Sequence, residues 1–451
     1  MGKLLIHPLL QEIAGIFTRR GKQVFLVGGA VRDLLRGRQA QDWDLATDAL
    51  PQEVMALFPR VIPTGIKHGT VTVHFKGRYL EVTTYRTESG YHDGRRPDQV
   101  TYASRIEEDL SRRDFTMNAI ALPLPTGPLV DPFNGIADIR ARRIRCVGNP
   151  QERFAEDGLR PVRALRFASQ MGFEVEKATL EAIPQALKTT EKVSPERIRD
   201  ELDKILASPQ PSRAFLLMEK TGLLELLLPE LAACRNIEQK GFHRFDVLDH
   251  SLLACDAAAR EKAPGLVRAA ALLHDIGKPL SRSLDAHGVW TFYQHEQVSA
   301  RLSRDLLIRF RYPNAVIDGI VHLIREHMFH YEENWSDGAV RRFIIRVGEE
   351  KLNNLYLLRR ADAYATSAQE LPRDFLLPLI TRVDAVLAKS RALSLRDLPV
   401  SGKDLLGIGI KPGPPMGRIL SALLEAVVED PALNTRETLL TIAGNLKERY
   451  G

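Results

Sequence analysis

Three cysteines in 451 residues, Cys146, Cys234 and Cys255, are too few and too scattered for a disulfide framework or a thiolate zinc site, so a reducing cytoplasm is the expected compartment. Long hydrophobic runs are also missing. No apolar stretch approaches the ~20 residues a bilayer requires, and no membrane partner is expected. The opening MGKLLIHPLLQEIAGIF has one early lysine and apolar residues interrupted by His7, Gln11 and Glu12, which suits an amphipathic helix better than a signal peptide. Strong charge of one sign is lacking: 63 Lys and Arg against 57 Asp and Glu leave +6, a modest lean toward polyanions such as nucleic acid. There is no internal repeat and no low-complexity tract. The length allows two to four domains with sizeable cores.

What is present is organised around residues 26–46, LVGGAVRDLLRGRQAQDWDLA. With Trp43 on a strand, Asp42 and Asp44 share one face about 7 Å apart, and two carboxylates that close favour a cation between them. With hard oxygen ligands only, the expected ion is Mg²⁺, which binds one or two carboxylates together with phosphate oxygens. Gly28 and Gly29 let the backbone approach a ligand, and the following segment offers N–H groups to an anion. Together these point to a nucleotidyl transfer site.

Residues 1–138 read as mixed α/β, with strands expected at 22–27, 60–61, 70–75 and 79–85. Glu81, on the last, is a candidate third carboxylate or an ordinary solvated strand charge. Residues 86–97, RTESGYHDGRRP, read as a long polar loop. In SRRDFTMNA, residues 111–119, Arg112 and Arg113 suit triphosphate oxygens, and Asp114 with Asn118 suits ribose hydroxyls; the alternative is a solvated turn. The run from Asp131, with Pro132, Asn134 and Gly135, reads as a hinge leading out of the head.

Beyond the hinge the pattern is helical to the end. Residues 153–171 place Asp157 three before Arg160 on one helix face, with Glu156 four before Arg160 to orient its guanidinium. The bland reading is a surface ion pair worth a few tenths of a kcal/mol, on the order of what exposed pairs give. The pointed reading is base recognition. Cytosine and adenine both present an exocyclic amine beside an unprotonated ring nitrogen, and an acceptor-only carboxylate with a donor-only guanidinium matches them while clashing with uracil and guanine. Arg163, one turn further on, is grouped with the nucleotide-binding residues. Residues 193–206 open with Ser194 as N-cap and Pro195 at the first helical position.

Residues 207–365 carry eight of the twelve histidines. His250 is expected just ahead of an apolar helix, and His274 with Asp275 at the end of another. His295, His327 and Asp362 follow. Imidazoles and carboxylates on successive helices form a ligand set for a divalent metal, with Mg²⁺, Mn²⁺, Fe and Ni²⁺ all compatible. His243, His287, His322 and His330 read as surface or core histidines. In SGKDLLGIGIKPGPPMG, residues 401–417, Lys403 or Lys411 stands near a phosphate, or the segment is a tight helix connection.

In order along the chain, LVGGAVRD with DWD, RRDFTMNA, the 131–135 hinge, the EDxxR of Glu156, Asp157 and Arg160, and SPERIRDEL resemble the five motifs of the bacterial class II tRNA nucleotidyltransferases, the CCA-adding enzyme family of the DNA polymerase β superfamily. His250, His274, Asp275 and Asp362 are similar to an HD phosphohydrolase signature. The resemblance covers essentially the whole chain and implies an α+β protein: a nucleotidyltransferase head (1–138), a helical neck with the base reader (139–206), a helical HD body (207–365) and a helical, tRNA-binding tail (366–451). It implies Mg²⁺ on Asp42 and Asp44, with Glu81 as the least secure partner. It also places Gly28, Gly29 and Arg32 by the triphosphate, Asp114 and Asn118 by the ribose, and Asp157 with Arg160 on the base. CTP, ATP and tRNA are the implied partners, and the oligomeric state is left open. The nearest rival is an A-adding enzyme working beside a CC-adding one; the YHDGRRP loop counts against CC-only addition. A poly(A) polymerase, or an HD phosphohydrolase whose head only binds RNA, are remoter readings.

Overall fold

A computed structural model describes residues 6–40, 42–89, 99–239, 245–367, 374–389 and 394–450. The chain forms two compact units, residues 1–233 with 306–312, and residues 234–305 with 313–451.

In the first unit eight strands precede the helical segment: β1 (Val24–Val27), β2 (Asp44–Thr47), β3 (Val61–Gly65), β4 (Thr70–Phe75), β5 (Arg78–Thr84), β6 (Arg86–Ser89), β7 (Gln99–Tyr102) and β8 (Ala121–Pro123). Six of them make one mixed sheet in the order β3-β4-β5-β2-β1-β8. The VFLV of β1 is buried along its whole length, as a central strand covered on both faces requires. β5 alternates instead, burying Leu80, Val82 and Thr84 while exposing Tyr79 and Glu81. β2 runs antiparallel to β1 and parallel to β5, so Val27 pairs with Asp44, and Asp44 pairs with Glu81. The sheet thereby brings the Gly28 turn and both carboxylates to one place.

Several boundaries differ from expectation. The strand expected at 22–27 starts at Val24, and the one expected at 60–61 extends over Val61–Gly65. Trp43 lies just outside β2, yet it is buried between exposed Asp42 and Asp44, so the two acids still share a side. Of the loop expected at 86–97, Arg86–Ser89 is strand, paired antiparallel with Gln99–Tyr102; the YHDGRRP segment lies outside the described residues.

The helix expected across 153–171 is two helices, Pro150–Glu156 and Arg160–Met171. Pro161, in the first turn of the second, lacks the N–H that a continuous helix would need there. Gly158 closes the break. Its position leaves no room for a side chain, since a Cβ would stand 2.3 Å from the Thr189 carbonyl oxygen. The Thr190 hydroxyl donates to the Gly158 carbonyl at 2.8 Å. Pro195–Leu206 begins at Ser194 and Pro195 as expected, but the Ser194 hydroxyl makes no capping bond.

In the second unit the Val247–Arg260 helix packs against Gly265–Leu273 and Leu352–Ser367. Ala254, Ala257, Ala258, Ala270 and Ala271 are buried there, and small side chains let the helices come close. His250 lies inside the first of these helices, not ahead of it, because the Asp246 carboxylate accepts from the Asp249 N–H at 2.8 Å and starts the helix at Val247. The 401–417 segment is a helix connection: Ser401 and Asp404 form a capping box on Gly402–Gly407, and Pro414–Glu429 follows. Leu405, Ile410, Ile419, Leu423 and Leu439 form its core, and Lys403 and Lys411 face outward.

Because the Thr189 and Thr190 backbone cannot retreat from Gly158, Gly158→Ala is expected to destabilise the first unit by about 1–3 kcal/mol, as overpacking does. A lowered urea midpoint for its unfolding checks this, and an unchanged midpoint would refute the packing argument.

Candidate functional site

Gly28, at φ +69°, turns the chain from β1 into the Gly29–Leu35 helix. A Cβ there would lie 3.1 Å from Arg113 Nη1 and 3.5 Å from Asp44 Oδ2, so the absent side chain is what lets these groups close on the turn. Burial pushes the Asp44 carboxyl up from its ordinary value; Arg113 offsets part of this and Asp42 adds to it. Burial and the neighbouring Asp44 push Glu81 up as well. The repulsion among these carboxylates is the condition that a bound divalent cation relieves, and the oxygen-only donor set fits a hard ion.

Asp42 and Asp44 open onto a cleft of about 800 Å³ in the first unit, lined by eight basic and five acidic side chains. The basic ones are anchored from behind. Asp109, fully buried, accepts from Arg112 Nε and Nη2 at 2.9 and 2.8 Å and from Arg113 Nη2 at 3.2 Å. Burial raises the Asp109 carboxyl, but the two guanidinium charges outweigh it and hold the group below its ordinary value. Arg32 Nη1 donates to Asn118 Oδ1 at 2.8 Å, and Asn118 Nδ2 donates to Asp114 Oδ1 at 3.0 Å. Arg163 forks onto Asp114 Oδ2 through Nε at 2.9 Å and Nη2 at 2.6 Å. Desolvation opposes the charge on Asp114, yet Arg163 and the Asn118 amide prevail and keep it well below the usual carboxylate range.

The solvated-turn alternative for RRDFTMNA therefore does not hold, since Asp114, Thr116 and Asn118 are all buried. Asp114 also accepts from the Phe115 N–H at 2.8 Å, which brings the bonds on its two oxygens to four. A carboxylate has about four acceptor directions, so Asp114 holds Arg163 and Asn118 and has no oxygen to spare.

Asp157 and Arg160 both line the cleft but do not share a helix face. Asp157 ends the Pro150–Glu156 helix in an extended conformation, φ −143° and ψ 108°, and Arg160 begins the next helix. The expected Glu156 contact is there: Arg160 Nη1 donates to Glu156 Oε2 at 2.5 Å and to the Arg153 carbonyl at 2.9 Å, while Nη2 donates to the Arg112 carbonyl at 3.1 Å. Asp157 is bound instead by Arg197, whose Nη2 lies 3.1 and 2.8 Å from the two carboxylate oxygens. Sequence reasoning missed Arg197, Asp109 and Glu201. Glu201, 2% exposed, accepts from Arg166 Nε at 2.5 Å and from Lys204 Nζ at 3.1 Å. A signal existed for Glu201, which falls within the apolar stripe of Ile198, Leu202 and Ile205 on one helix.

In the second unit His250, His274, Asp275, His295, His327 and Asp362 are all buried and converge. His250 Nε2 lies 3.1 Å from His274 Nε2 and 3.2 Å from Asp362 Oδ1, and His295 Nε2 lies 3.2 Å from Asp275 Oδ1. His274, His295 and His327 each turn Nδ1 to the backbone carbonyl three residues back, at 2.9, 2.9 and 2.6 Å. That bond fixes the tautomer with Nε2 bare and facing inward. Asp275 Oδ1 and His295 Nε2 are buried and face each other at 3.2 Å with no further hydrogen-bond partner, as expected of groups placed for a metal. Burial and the His274 charge push His327 down to about 3, leaving it a neutral imidazole at pH 7. His274 is raised, because Asp275 and Asp362 overcome its desolvation. Lys278 Nζ at 2.6 Å from Asp275 Oδ2 and Arg359 Nη1 at 2.6 Å from Asp362 Oδ2 were not foreseen. Of the other histidines, His322 Nε2 donates to the Val347 carbonyl at 2.7 Å, His287 and His330 are exposed, and His243 lies outside the described residues.

Three family models match the chain: the poly(A) polymerase head domain over residues 24–145, a probable RNA- and SrmB-binding site of polymerase A over 172–235, and the HD domain over 242–367. A CCA-adding enzyme of Geobacillus stearothermophilus is 36% identical over 446 residues, 96% of each chain. One from Enterococcus faecalis is 33% identical over 97% of this chain and 94% of its own. The crystal structure of the Bacillus stearothermophilus CCA-adding enzyme with CTP superposes with a TM-score of 0.74 at 33% identity, covering 98% of both chains. The head model carries the poly(A) polymerase name, but the likeness that runs from end to end is to the tRNA enzymes, and the chain belongs to the CCA-adding enzyme family.

Proposed function

We propose that the chain is a template-independent tRNA nucleotidyltransferase that adds CCA to tRNA 3′ ends from CTP and ATP. The observation that carries the reading is the register of Asp44 on Glu81, beside Asp42, at the mouth of the same cleft that holds Asp157 and Arg160. In this reading the tRNA 3′-hydroxyl attacks the α-phosphorus of CTP twice and then of ATP, in line, and pyrophosphate leaves. Asp42 and Asp44, with Glu81 beside them, hold Mg²⁺, which when bound lowers the pKa of the attacking hydroxyl and neutralises charge on the leaving group. Arg32, Arg112 and Arg113 bind the triphosphate, and the Gly28–Gly29 backbone comes close to it. Asn118, Asp114 and Arg163 form the surface under the ribose. Asp157 accepts from the exocyclic amine and Arg160 donates to the adjacent ring nitrogen. The helical neck and tail hold tRNA by its shape and phosphates, as structured RNA is usually held.

The histidine cluster supports a second, metal-dependent phosphohydrolase activity on RNA 3′ ends or small phosphate esters. His250, His274, Asp275, His295, His327 and Asp362 are the proposed ligands of Mg²⁺, Mn²⁺, Fe or Ni²⁺. A bound metal there would supply an activated water and polarise the phosphoryl oxygen. Among the described residues no helix is long and apolar enough to cross a membrane, in keeping with a cytoplasmic, tRNA-processing role.

Radiolabelled CTP and ATP with tRNA transcripts ending before CCA, after C and after CC are expected to give extension of all three to CCA. Label from ATP on the last alone would replace this reading with A-only addition. Asp157→Ala is expected to let UTP and GTP in, narrowing discrimination by at least about tenfold, the weight of one hydrogen bond to a charged group; selectivity equal to wild type would remove Asp157 from base recognition. For the second activity, purified protein is expected to contain a divalent metal and to hydrolyse 2′,3′-cyclic AMP or p-nitrophenyl phosphate. Asp275→Asn should lose both properties and keep CCA addition, whereas metal-free wild type with no hydrolysis in added Mn²⁺ or Ni²⁺ would refute it.

A further inference from the structure

Arg197 is absent from every role assigned so far except as the partner of Asp157, yet it lines the cleft itself. Its Nη2 takes both Asp157 oxygens, at 3.1 and 2.8 Å, and Asp157 Oδ1 also accepts from the Leu159 N–H at 3.1 Å. Three of about four acceptor directions on Asp157 are thus filled, which leaves one for an incoming amine. Arg160 is similarly reduced. Three of its five N–H groups are spent on Glu156, Arg153 and Arg112, so two remain for a ligand. Arg197 differs from both in having a whole nitrogen in reserve: Nη1 is buried and has no hydrogen-bond partner. A buried guanidinium nitrogen without an acceptor is unfavourable, and a site tolerates it most readily where a ligand completes the bond.

The chemistry of the two bases says which ligand can complete it. In adenine the exocyclic amine is flanked by two ring acceptors, N1 on one side and N7 on the other. In cytosine it is flanked by N3 on one side and by C5–H, which accepts nothing, on the other. Arg160 suffices for the acceptor that both bases share. A second guanidinium held against the same carboxylate meets an acceptor only when the base is adenine.

We propose that Arg197 is a specificity-determining residue for the adenosine step, donating from Nη1 to adenine N7 while Asp157 accepts from the amine and Arg160 donates to N1. With CTP the same nitrogen faces C5–H and contributes nothing beyond holding Asp157. One fixed pocket thereby takes both bases, and ATP gains a hydrogen bond that CTP lacks. The inference rests on the proposed reading of Asp157 and Arg160 as the base reader.

The test is 7-deaza-ATP, in which N7 is replaced by C–H and the amine and N1 are kept. In single-turnover addition to tRNA ending in CC, the wild-type enzyme is expected to use 7-deaza-ATP on the order of tenfold less efficiently than ATP, the worth of one hydrogen bond to a charged donor. Arg197→Gln is expected to use ATP and 7-deaza-ATP equally, whatever its absolute rate. Its CTP incorporation into tRNA lacking CCA should fall less than its ATP incorporation into tRNA ending in CC. Equal use of the two analogues by wild-type enzyme, which requires no variant to fold, would overturn the proposal, as would a preference for ATP that persists in Arg197→Gln. The two layers fail separately: exclusion of UTP and GTP by Asp157→Ala defeats the base reader, whereas relaxed selectivity in that variant with equal analogue use by wild type defeats only the N7 contact.

Discussion

The close approach of Gly158 to the backbone of Thr189 and Thr190 is the constraint on which the cleft depends. No Cβ fits there, and the hydrogen bond from the Thr190 hydroxyl holds the approach in place. The helix therefore stops at Glu156 and restarts at Arg160. On an unbroken helix Asp157 and Arg160 would have formed an ordinary i,i+3 pair and neutralised each other on the surface. Broken apart, each acquires its own counter-ion, Arg197 for Asp157 and Glu156 for Arg160, and both remain available to something else in the cleft.

This explains how much was legible beforehand. Period-two alternation located β5, and a short apolar run located β1, because those patterns depend only on which side of a strand meets the core. The Asp42, Asp44 and Asp114 motifs could be read as chemistry because their residue types are unusual in such density. The helix break carried one signal, Pro161, which cannot donate within a continuous helix, but helical spacing and a single glycine are compatible with continuity, and the contact 31 residues away at Thr189 is what shows where the chain turns. Glu201 stands in an apolar helix stripe that marks it as buried, whereas Asp109 and Arg197 look like surface charges until the partner element is in place. Glu81 was ambiguous for that reason, and the parallel pairing of β2 with β5 resolves its position.

The two candidate metal centres solve opposite electrostatic problems. In the first unit, Asp42, Asp44 and Glu81 lie at least partly open to solvent, and burial pushes Asp44 and Glu81 toward protonation, with Asp42 adding to it for Asp44 and Asp44 for Glu81. Such a site is incomplete alone and suits an ion that arrives with substrate phosphates and leaves with product. In the second unit the carboxylates are nearly inaccessible, yet His274 and Lys278 hold Asp275 below its usual range despite its desolvation. With His274, His295 and His327 each oriented by a backbone carbonyl, most of that set is assembled before any ion binds, which suits a resident metal.

Selecting a base without a template requires a surface as rigid as the Watson–Crick edge it replaces, and long arginine side chains are poor material for one unless they are immobilised. The cleft achieves this by giving most of each guanidinium to the protein. Arg112 and Arg113 share the buried Asp109, Arg163 is forked onto Asp114, Arg166 is tied to Glu201, and Arg160 spends three N–H groups on its own chain. Their rotamer entropy is lost on folding, so a nucleotide does not have to remove it on binding. What the protein leaves unused is the remainder: one acceptor direction on Asp157, two N–H groups on Arg160 and the Nη1 of Arg197, the groups the proposed base reader would offer to a ligand. Specificity then follows by subtraction, since every internal bond removes one way in which a wrong base could be accommodated, and the few donors and acceptors left over define the edge that fits.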